Sequence, residues 1–415
     1  MRVPSPVSRR QVEFFAVWVA LVVSVVSWRP GAIFSGGIDP VVIGKAAVGV
    51  LALAGALVVA DHSPRHGRVG ARSLILLLAV VGVSSVGAIA ADEGTASLIL
   101  SARIILVTTT VVVMVASGPP MLVLTTLLTA IGAVALFAAV TGLPELLANG
   151  RLGGGIPDLR PNEVAGLAAP VAIALVVDLA RRGMRVWNSI AFAVFLGIVF
   201  ATGSRTTLGV VVLAIVLAFL LAWPIPRSTG IGLLALVPVA YVVATFTDTV
   251  EQFAIRGQST AELTSLSSRT IAWDVVLDVP FDSWAKWIGI GLAQKTVAVD
   301  QRWWDTQVLD SSWVSILAQA GLIGTVLVAL WVVATSLDSI RSDRMIRNLT
   351  LPLLLLLVAR SFLENGLIES SAIFALFLTI SLVVEPGTQF PRPPAPDRYR
   401  FLREIDAAEA AGMRR

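Results

Sequence analysis

The sequence predicts an all-α integral membrane protein with about twelve transmembrane helices and one large external loop between spans nine and ten. Three observations predict this fold class. Of the 415 residues, 56% are hydrophobic and only 14% are charged, against about 25% charged in a typical soluble domain. Apolar runs of about 20 residues, the length that crosses a bilayer core of about 30 Å, recur along the chain. Arginines collect in the segments between alternate runs, as the positive-inside rule requires of cytoplasmic loops.

The predicted spans divide into nine within residues 1–246 and three within residues 312–384. They lie near 12–28, 40–60, 73–91, 97–117, 121–142, 163–180, 187–202, 206–223, 230–246, 312–335, 349–364 and 367–384. The first run follows Arg9 and Arg10, but no small-residue cleavage motif follows it. We therefore expect an uncleaved first helix rather than a signal peptide.

The arginine pattern predicts that both termini are cytoplasmic. With twelve spans, the basic segments after spans two, six, eight and ten and in the tail all fall on the same side. The opposite side receives the 143–161 loop and the long 247–311 segment. Residues 385–415 begin Pro-rich and are expected to form a flexible cytoplasmic tail.

The 247–311 segment is the main predicted extracytoplasmic feature, and we expect it to be partly helical. Ser267 or Ser268 is a candidate N-cap for a helix over residues 269–278, which Pro280 would end. The segment also contains five tryptophans, a residue type that favours the membrane–water interface. It is therefore expected to lie against the bilayer.

Composition excludes several classes of site. The absence of cysteine excludes a disulfide framework, a thiolate metal site and a cysteine nucleophile. The two histidines, His62 and His66, share one basic loop, which argues against a histidine metal cluster. Because the basic residues follow the loops between spans, they indicate topology rather than nucleic-acid binding. We expect no metal, no cofactor and no nucleic-acid partner.

Three ionisable residues near span ends are candidates for catalysis. Arg205 begins span eight after a glycine, where it either snorkels to the interface or binds an anion such as phosphate. Arg269 begins the loop helix and is either solvated or functional. Asp310 precedes span ten, where it either caps the helix or serves as a base at a cavity mouth.

Five further residues are candidates for substrate binding. Arg360 and Glu364 are four residues apart on span eleven and can form an ion pair, which favours a structural brace over catalysis. Arg151, Arg160 and Asn162 lie in the glycine-rich loop before span six. That loop either binds substrate or is only a flexible connection between spans. A further residue, Arg103, lies within span four and should face the bundle interior or snorkel.

In order along residues 150–325, these pieces resemble the O-antigen ligase and polymerase family of bacterial membrane proteins. The matching motifs are the Arg151…Pro161-Asn162 loop, Thr202-Gly-Ser-Arg-Thr206, Ser268-Arg269-Thr-Ile-Ala-Trp273, Ile288-Gly-Ile-Gly291 and Asp310-Ser-Ser-Trp-Val-Ser-Ile-Leu-Ala-Gln-Ala-Gly-Leu-Ile-Gly324. No single motif is specific, and the resemblance rests on their order.

The resemblance implies a metal-independent class C glycosyltransferase fold in the bacterial cytoplasmic membrane. Members move a glycan from a polyprenyl diphosphate carrier to an acceptor hydroxyl on the outer side, and their two functional arginines correspond to Arg205 and Arg269. Where the family usually has a His-Asn pair, this sequence has Asp310-Ser311. That departure puts the activation of the acceptor in doubt, although Asp310 is a candidate replacement base. Polymerisation of a surface polysaccharide is the favoured activity.

Two other functions stay open at the level of sequence. One is a lipid or glycan transporter, for which two matching halves would be the discriminating feature. The other is a non-catalytic scaffold of an envelope glycan assembly complex, which the missing histidine permits. Polar residues gather at outer span ends and in one asymmetric loop, a distribution that favours an enzyme over a transporter.

Overall fold

The computed structural model describes residues 8–29, 39–63, 67–230, 269–301 and 304–390. Its helices are α1 (Arg9–Val25), α2 (Pro40–Asp61), α3 (Arg72–Ala90), α4 (Gly94–Ser117), α5 (Pro120–Thr141), α6 (Leu143–Asn149), α7 (Pro161–Arg182), α8 (Val186–Ala201), α9 (Arg205–Ala222), α10 (Arg269–Leu277), α11 (Trp284–Ile288), α12 (Ser312–Arg341), α13 (Arg344–Ser361) and α14 (Ala372–Val384). Strands β1 (Thr296–Gln301) and β2 (Trp304–Val308) form an antiparallel hairpin.

The described part of the chain is an all-α membrane protein, as the sequence predicts. Seven of its helices are long and apolar enough to cross a membrane, namely α2, α3, α4, α5, α7, α9 and α12. Two more, α8 and α14, are apolar but shorter, with 16 and 13 residues. Eleven of the twelve predicted spans coincide with a described helix. Residues 231–246 of the ninth span lie outside the described residues, so the count of twelve stays a prediction.

The helices run alternately up and down, and their connections gather at two ends of the bundle. The arginine end comprises residues 61–63, 67–72, 181–186, 222–229 and 338–347. The loop end comprises residues 90–94, 141–161, 201–205, 282–301, 304–311 and 362–371. At the arginine end, Arg344 Nη2 donates to Trp223 O at 2.8 Å. The described arginines that the sequence assigns to cytoplasmic loops lie at that end, and its orientation in a membrane stays a prediction.

Helix α14 forms the centre of the bundle. All 13 of its residues are buried, as expected of a helix that is apolar all round. Trp331 of α12 packs against Phe377 with ring centroids 5.0 Å apart and donates from Nε1 to Ser381 Oγ at 2.6 Å. At 1.5 Å per residue α14 is about 20 Å long, well short of a bilayer core of about 30 Å.

The start of this central helix differs from the prediction. The sequence places the last span at 367–384, whereas α14 begins at Ala372. Gly366 has a φ of +133°, which breaks the helical path, and Ser371 Oγ caps the helix by accepting the Phe374 N–H at 3.0 Å. The late start leaves space above α14 at the loop end.

The external segment is helical where the sequence predicts a helix. Helix α10 matches the predicted 269–278 helix, while residues 247–268, including Ser267 and Ser268, lie outside the described residues. The α10 helix packs on the hairpin through a small apolar cluster of Ala272, Val276, Val297, Val299 and Leu309. The sequence interpretation missed this hairpin, which ties α10 to the segment that enters α12.

Residues 284–291 form a wedge that packs into a break in α12. The break lies at Gly321, whose φ of 65° and ψ of −166° are outside the helical region. The backbone N–H groups of Ile290 and Gly291 donate to the carbonyls of Ala318 and Gln319, both at 3.0 Å. Backbone groups at this depth need partners within the protein, so the wedge completes the hydrogen bonding of the broken helix.

Candidate active site

A two-lobed cavity opens at the loop end, above the start of α14. The larger lobe has a volume of about 420 Å³ and the smaller lobe about 250 Å³. The lobes adjoin each other and share the wall residues Val25, Ser27, Arg160, Glu163, Val308, Asn365 and Glu369. Ala372 and Ile373 line the larger lobe, so the short central helix supplies part of its wall.

Six of the eight predicted site residues line the larger lobe. They are Arg151, Arg160, Asn162, Asp310, Arg360 and Glu364. They come from the loop before α7, the segment before α12 and the end of α13, which are distant in the sequence. The fold therefore brings these residues together, while their chemical roles stay predictions.

Arg360 forms the centre of a clasp between α7 and α13. Its side chain is buried, and Nη2 donates to the backbone oxygen of Asn162 at 2.9 Å. Asn162 Nδ2 in turn donates to Glu364 Oε1 at 2.6 Å. A Cβ at position 166 would lie 2.8 Å from the guanidinium carbon, so Gly166 makes room for the arginine. This geometry favours a positioning role for Arg360 in the cavity wall.

Asp310 is not the N-cap of α12, so that interpretation of it is wrong. The cap position belongs to Ser311, and Asp310 stands one residue earlier, half-buried in the wall of the larger lobe. The helix start is fixed because Ser312 Oγ donates to the Glu364 carbonyl at 2.9 Å. The alternative role as a base at a cavity wall stays a prediction.

Arg205 lies at the loop end, beside the loop that carries Arg151. It is the first residue of α9 and follows Gly203, whose φ of +63° turns the chain sharply out of α8. Arg151 Nε donates to the Thr202 carbonyl at 3.1 Å. This contact joins the start of α9 to the wall of the larger lobe.

Arg269 is the first residue of α10, and its side chain lies outside what the structure describes. The functional role that the resemblance assigns to Arg269, together with Arg205, therefore stays a prediction. The apolar cluster packs α10 against Leu309, the neighbour of Asp310, so the start of α10 and the larger lobe belong to one region of the loop end.

The smaller lobe carries charged residues that the sequence interpretation did not assign to the site. Lys45 and Arg103 line it, together with the ion pair of Lys295 Nζ and Glu369 Oε1. Arg103 faces the bundle interior, one of its two predicted positions. Lys45 stands alone in an otherwise apolar run, and that isolation was the signal that could have identified it.

The charged lining fits a polar, anionic ligand. The two lobes together present six basic side chains (Lys45, Arg103, Arg151, Arg160, Lys295 and Arg360) and five acidic ones (Asp158, Glu163, Asp310, Glu364 and Glu369). Such donors and acceptors can bind sugar hydroxyls and phosphate oxygens. Within the described ranges, no group of three or more His, Cys, Asp or Glu side chains is placed to hold a metal ion.

A search of curated proteins finds no match to this chain. A sequence model of the O-antigen ligase family, in contrast, matches residues 190–329. The matched segment runs from α8 to the middle of α12 and includes Arg205, Arg269 and Asp310. At the family level this indicates a membrane enzyme that handles lipid-linked glycans. The resemblance predicted from the sequence is therefore confirmed for residues 190–329, which match the O-antigen ligase family model.

Proposed function

We propose that this protein transfers a glycan from a polyprenyl diphosphate carrier to an acceptor hydroxyl on the outer side of the cytoplasmic membrane, and so polymerises a surface polysaccharide. The observation that carries the proposal is the cavity at the loop end, which collects six predicted site residues beside the start of α9. The O-antigen ligase domain supports the same chemistry.

In the proposed step, the acceptor hydroxyl oxygen attacks the anomeric carbon of the donor glycan. A glycosidic C–O bond forms as the C–O bond to the diphosphate breaks, and the bonding electrons leave with the diphosphate oxygen. The hydroxyl proton passes to the Asp310 carboxylate and from there to water. A carboxylate within hydrogen-bond reach of the hydroxyl is suited to take that proton in the transition state.

The leaving diphosphate gains negative charge, and cationic groups stabilise it without a metal in this proposal. Arg205 supplies a guanidinium that can grip phosphate oxygens bidentately, and Arg269 is the proposed second guanidinium. The N–H groups of the first turn of α9 point toward the same side, because Arg205 opens that 18-residue helix. Fixed donors of this kind are typically the largest source of transition-state stabilisation.

The test compares Arg205→Ala with wild type in a purified, reconstituted protein. The substrate is a polyprenyl-diphosphate oligosaccharide, and the readouts are chain growth and released carrier. We expect Arg205→Ala to lose about a hundredfold or more of the transfer rate, as removal of one fixed transition-state donor typically does. Arg185→Ala is the matched control, because Arg185 is exposed at the arginine end.

Chain growth by Arg205→Ala at the wild-type rate would contradict the role of this arginine. Movement of the lipid-linked glycan between leaflets by wild type, without new glycosidic bonds, would instead support the transporter alternative.

A further inference from the structure

Two cations line the smaller lobe with no hydrogen bond or salt bridge to a described residue. Lys45 on α2 and Arg103 on α4, here called the cation pair, both line this lobe. Their charges lie close enough to repel each other. Within the described residues, neither side chain forms a hydrogen bond or a salt bridge. Paired like charges among membrane helices are costly, and such groups normally mark a functional pathway or site.

The carboxylates of the same lobe only partly neutralise its basic side chains. Glu369 acts electrostatically on Arg103 but is already bonded to Lys295 Nζ. Glu163 acts electrostatically on Lys45, and its Oε2 accepts the Arg160 backbone N–H at 2.9 Å. With Asp158, the lobe carries three carboxylates against the four basic side chains Lys45, Arg103, Arg160 and Lys295, an excess of one positive charge. The pair therefore retains attraction for an external anion.

The cation pair lies where a lipid phosphate can reach it. A Cβ at Gly44, the neighbour of Lys45, would lie 3.0 Å from the ring of Trp28, and tryptophans favour the headgroup level of a membrane. Helix α2 is the least buried of the seven candidate spans, with 17% of its apolar window buried. Arg103 lies about 14 Å along α4 from the loop end, at 1.5 Å per residue. An anion with an apolar tail thus has access from the bilayer.

We propose that the cation pair is a second phosphate subsite, which holds the diphosphate of a lipid-linked acceptor. This inference rests on the proposed function, in which Arg205 and Arg269 hold the diphosphate of the donor. Two diphosphates repel each other and need separate pockets, and the cavity offers two lobes with a shared wall. The acceptor class is then a second polyprenyl-diphosphate glycan, which makes the reaction chain polymerisation rather than transfer to an unrelated acceptor.

Binding stoichiometry tests the subsite without enzyme turnover. Calorimetric titration of the purified full chain with geranylgeranyl diphosphate should give two equivalents for wild type. The double variant Lys45→Gln/Arg103→Gln should bind one equivalent, and Arg185→Gln, the exposed control, should bind two. Equal stoichiometry for wild type and the double variant would overturn the subsite. Inorganic diphosphate that binds this subsite as tightly as the lipid probe would overturn a lipid-linked occupant.

Kinetics then assign the subsite to the acceptor. The donor glycan carries a blocking group on the hydroxyl that would otherwise let it act as an acceptor, so that the KM of each substrate can be measured separately. The double variant should raise the KM for the lipid-linked acceptor tenfold or more and leave the KM for the blocked donor within twofold. A raised donor KM with an unchanged acceptor KM would overturn the assignment. If wild type binds two equivalents of geranylgeranyl diphosphate but transfers glycan to no acceptor, the subsite is supported and the proposed function is refuted.

A charge-preserving exchange guards against loss of folding. Lys45→Arg/Arg103→Lys keeps both cations and should retain the second equivalent. If this variant folds and binds one equivalent only, charge is not what the subsite provides, and the inference fails.

Discussion

Gly289→Ala should dislodge the wedge from the break in α12. Gly289 has a φ of +69° and a ψ of −173°, a backbone conformation that is essentially restricted to glycine. A Cβ at this position would also overlap the backbone of Gln319 and Ala320. The overlapping atoms belong to main chain within a packed helix, which cannot move aside as a flexible side chain can.

Two costs combine in this variant. Holding alanine in the glycine-only region costs about 1–3 kcal/mol. Overpacking against a fixed backbone costs about 1–3 kcal/mol more. The sum, about 2–6 kcal/mol, is about twice the 1–3 kcal/mol that the two backbone hydrogen bonds of the wedge contribute at about 0.5–1.5 kcal/mol each. The wedge should therefore separate from the break in α12. The segment that follows it, with Lys295 and the hairpin, should then lose its position at the cavity.

Thermal unfolding of the detergent-purified protein and glycan transfer are the two measurements. Gly82→Ala is the matched control, because nothing lies within 4 Å of a Cβ at this exposed position in α3. Alanine is favoured over glycine inside a helix by about 1 kcal/mol, so the control should be at least as stable as wild type. Equal melting temperatures and transfer rates for Gly289→Ala and Gly82→Ala would show that the wedge does not pack as described.

Two further variants separate positioning from binding. Arg360→Met removes the buried guanidinium that donates to the Asn162 carbonyl. The free energy of unfolding should therefore fall by about 1.5–3 kcal/mol, and the rate of glycan transfer should fall with it. A variant that is as stable as wild type but loses glycan transfer would instead indicate that Arg360 binds the substrate, as proposed for Arg205. Glu385→Ala removes the buried carboxylate that accepts the Arg72 N–H at 2.7 Å and caps α3 at the arginine end. The melting temperature should fall because an N-cap worth about 0.5–2 kcal/mol is lost, while the KM for the acceptor stays unchanged. A change in that KM would contradict the view that the arginine end does not take part in substrate binding.

The fold was predictable because the bilayer imposes a length and a composition on each span. Runs of about 20 apolar residues leave few other structures open, and eleven predicted spans coincide with helices. The late start of α14 was not predicted from hydropathy, because Glu369 is the one charged residue in the otherwise apolar or small-residue run 367–384. The turn at Gly366 and the cap at Ser371 decide it instead, and both depend on local backbone geometry.

The candidate site was predictable in part, because ionisable residues at span ends are costly and conspicuous. That reasoning found the six residues of the larger lobe, but it treated Arg360 and Glu364 as a brace within one helix. The actual clasp runs to Asn162 on α7, a contact that only the packing of the two helices reveals. The sequence interpretation did not assign Lys45 to the site, because one lysine in a long apolar run resembles a snorkelling side chain. Its pairing with Arg103 depends on how α2 and α4 approach each other.

The cavity is a consequence of the length of α14. A helix buried on every face must lie in the middle of the bundle, so the space above its capped end lies among its neighbours. Longer surrounding helices continue past that point and present charged residues to the cavity, which opens at the loop end. Charges placed there interact more strongly than on an open surface, because the surrounding helices exclude bulk water. A thirteen-residue helix at the centre of the bundle therefore locates both the polar cavity and the chemistry proposed for it.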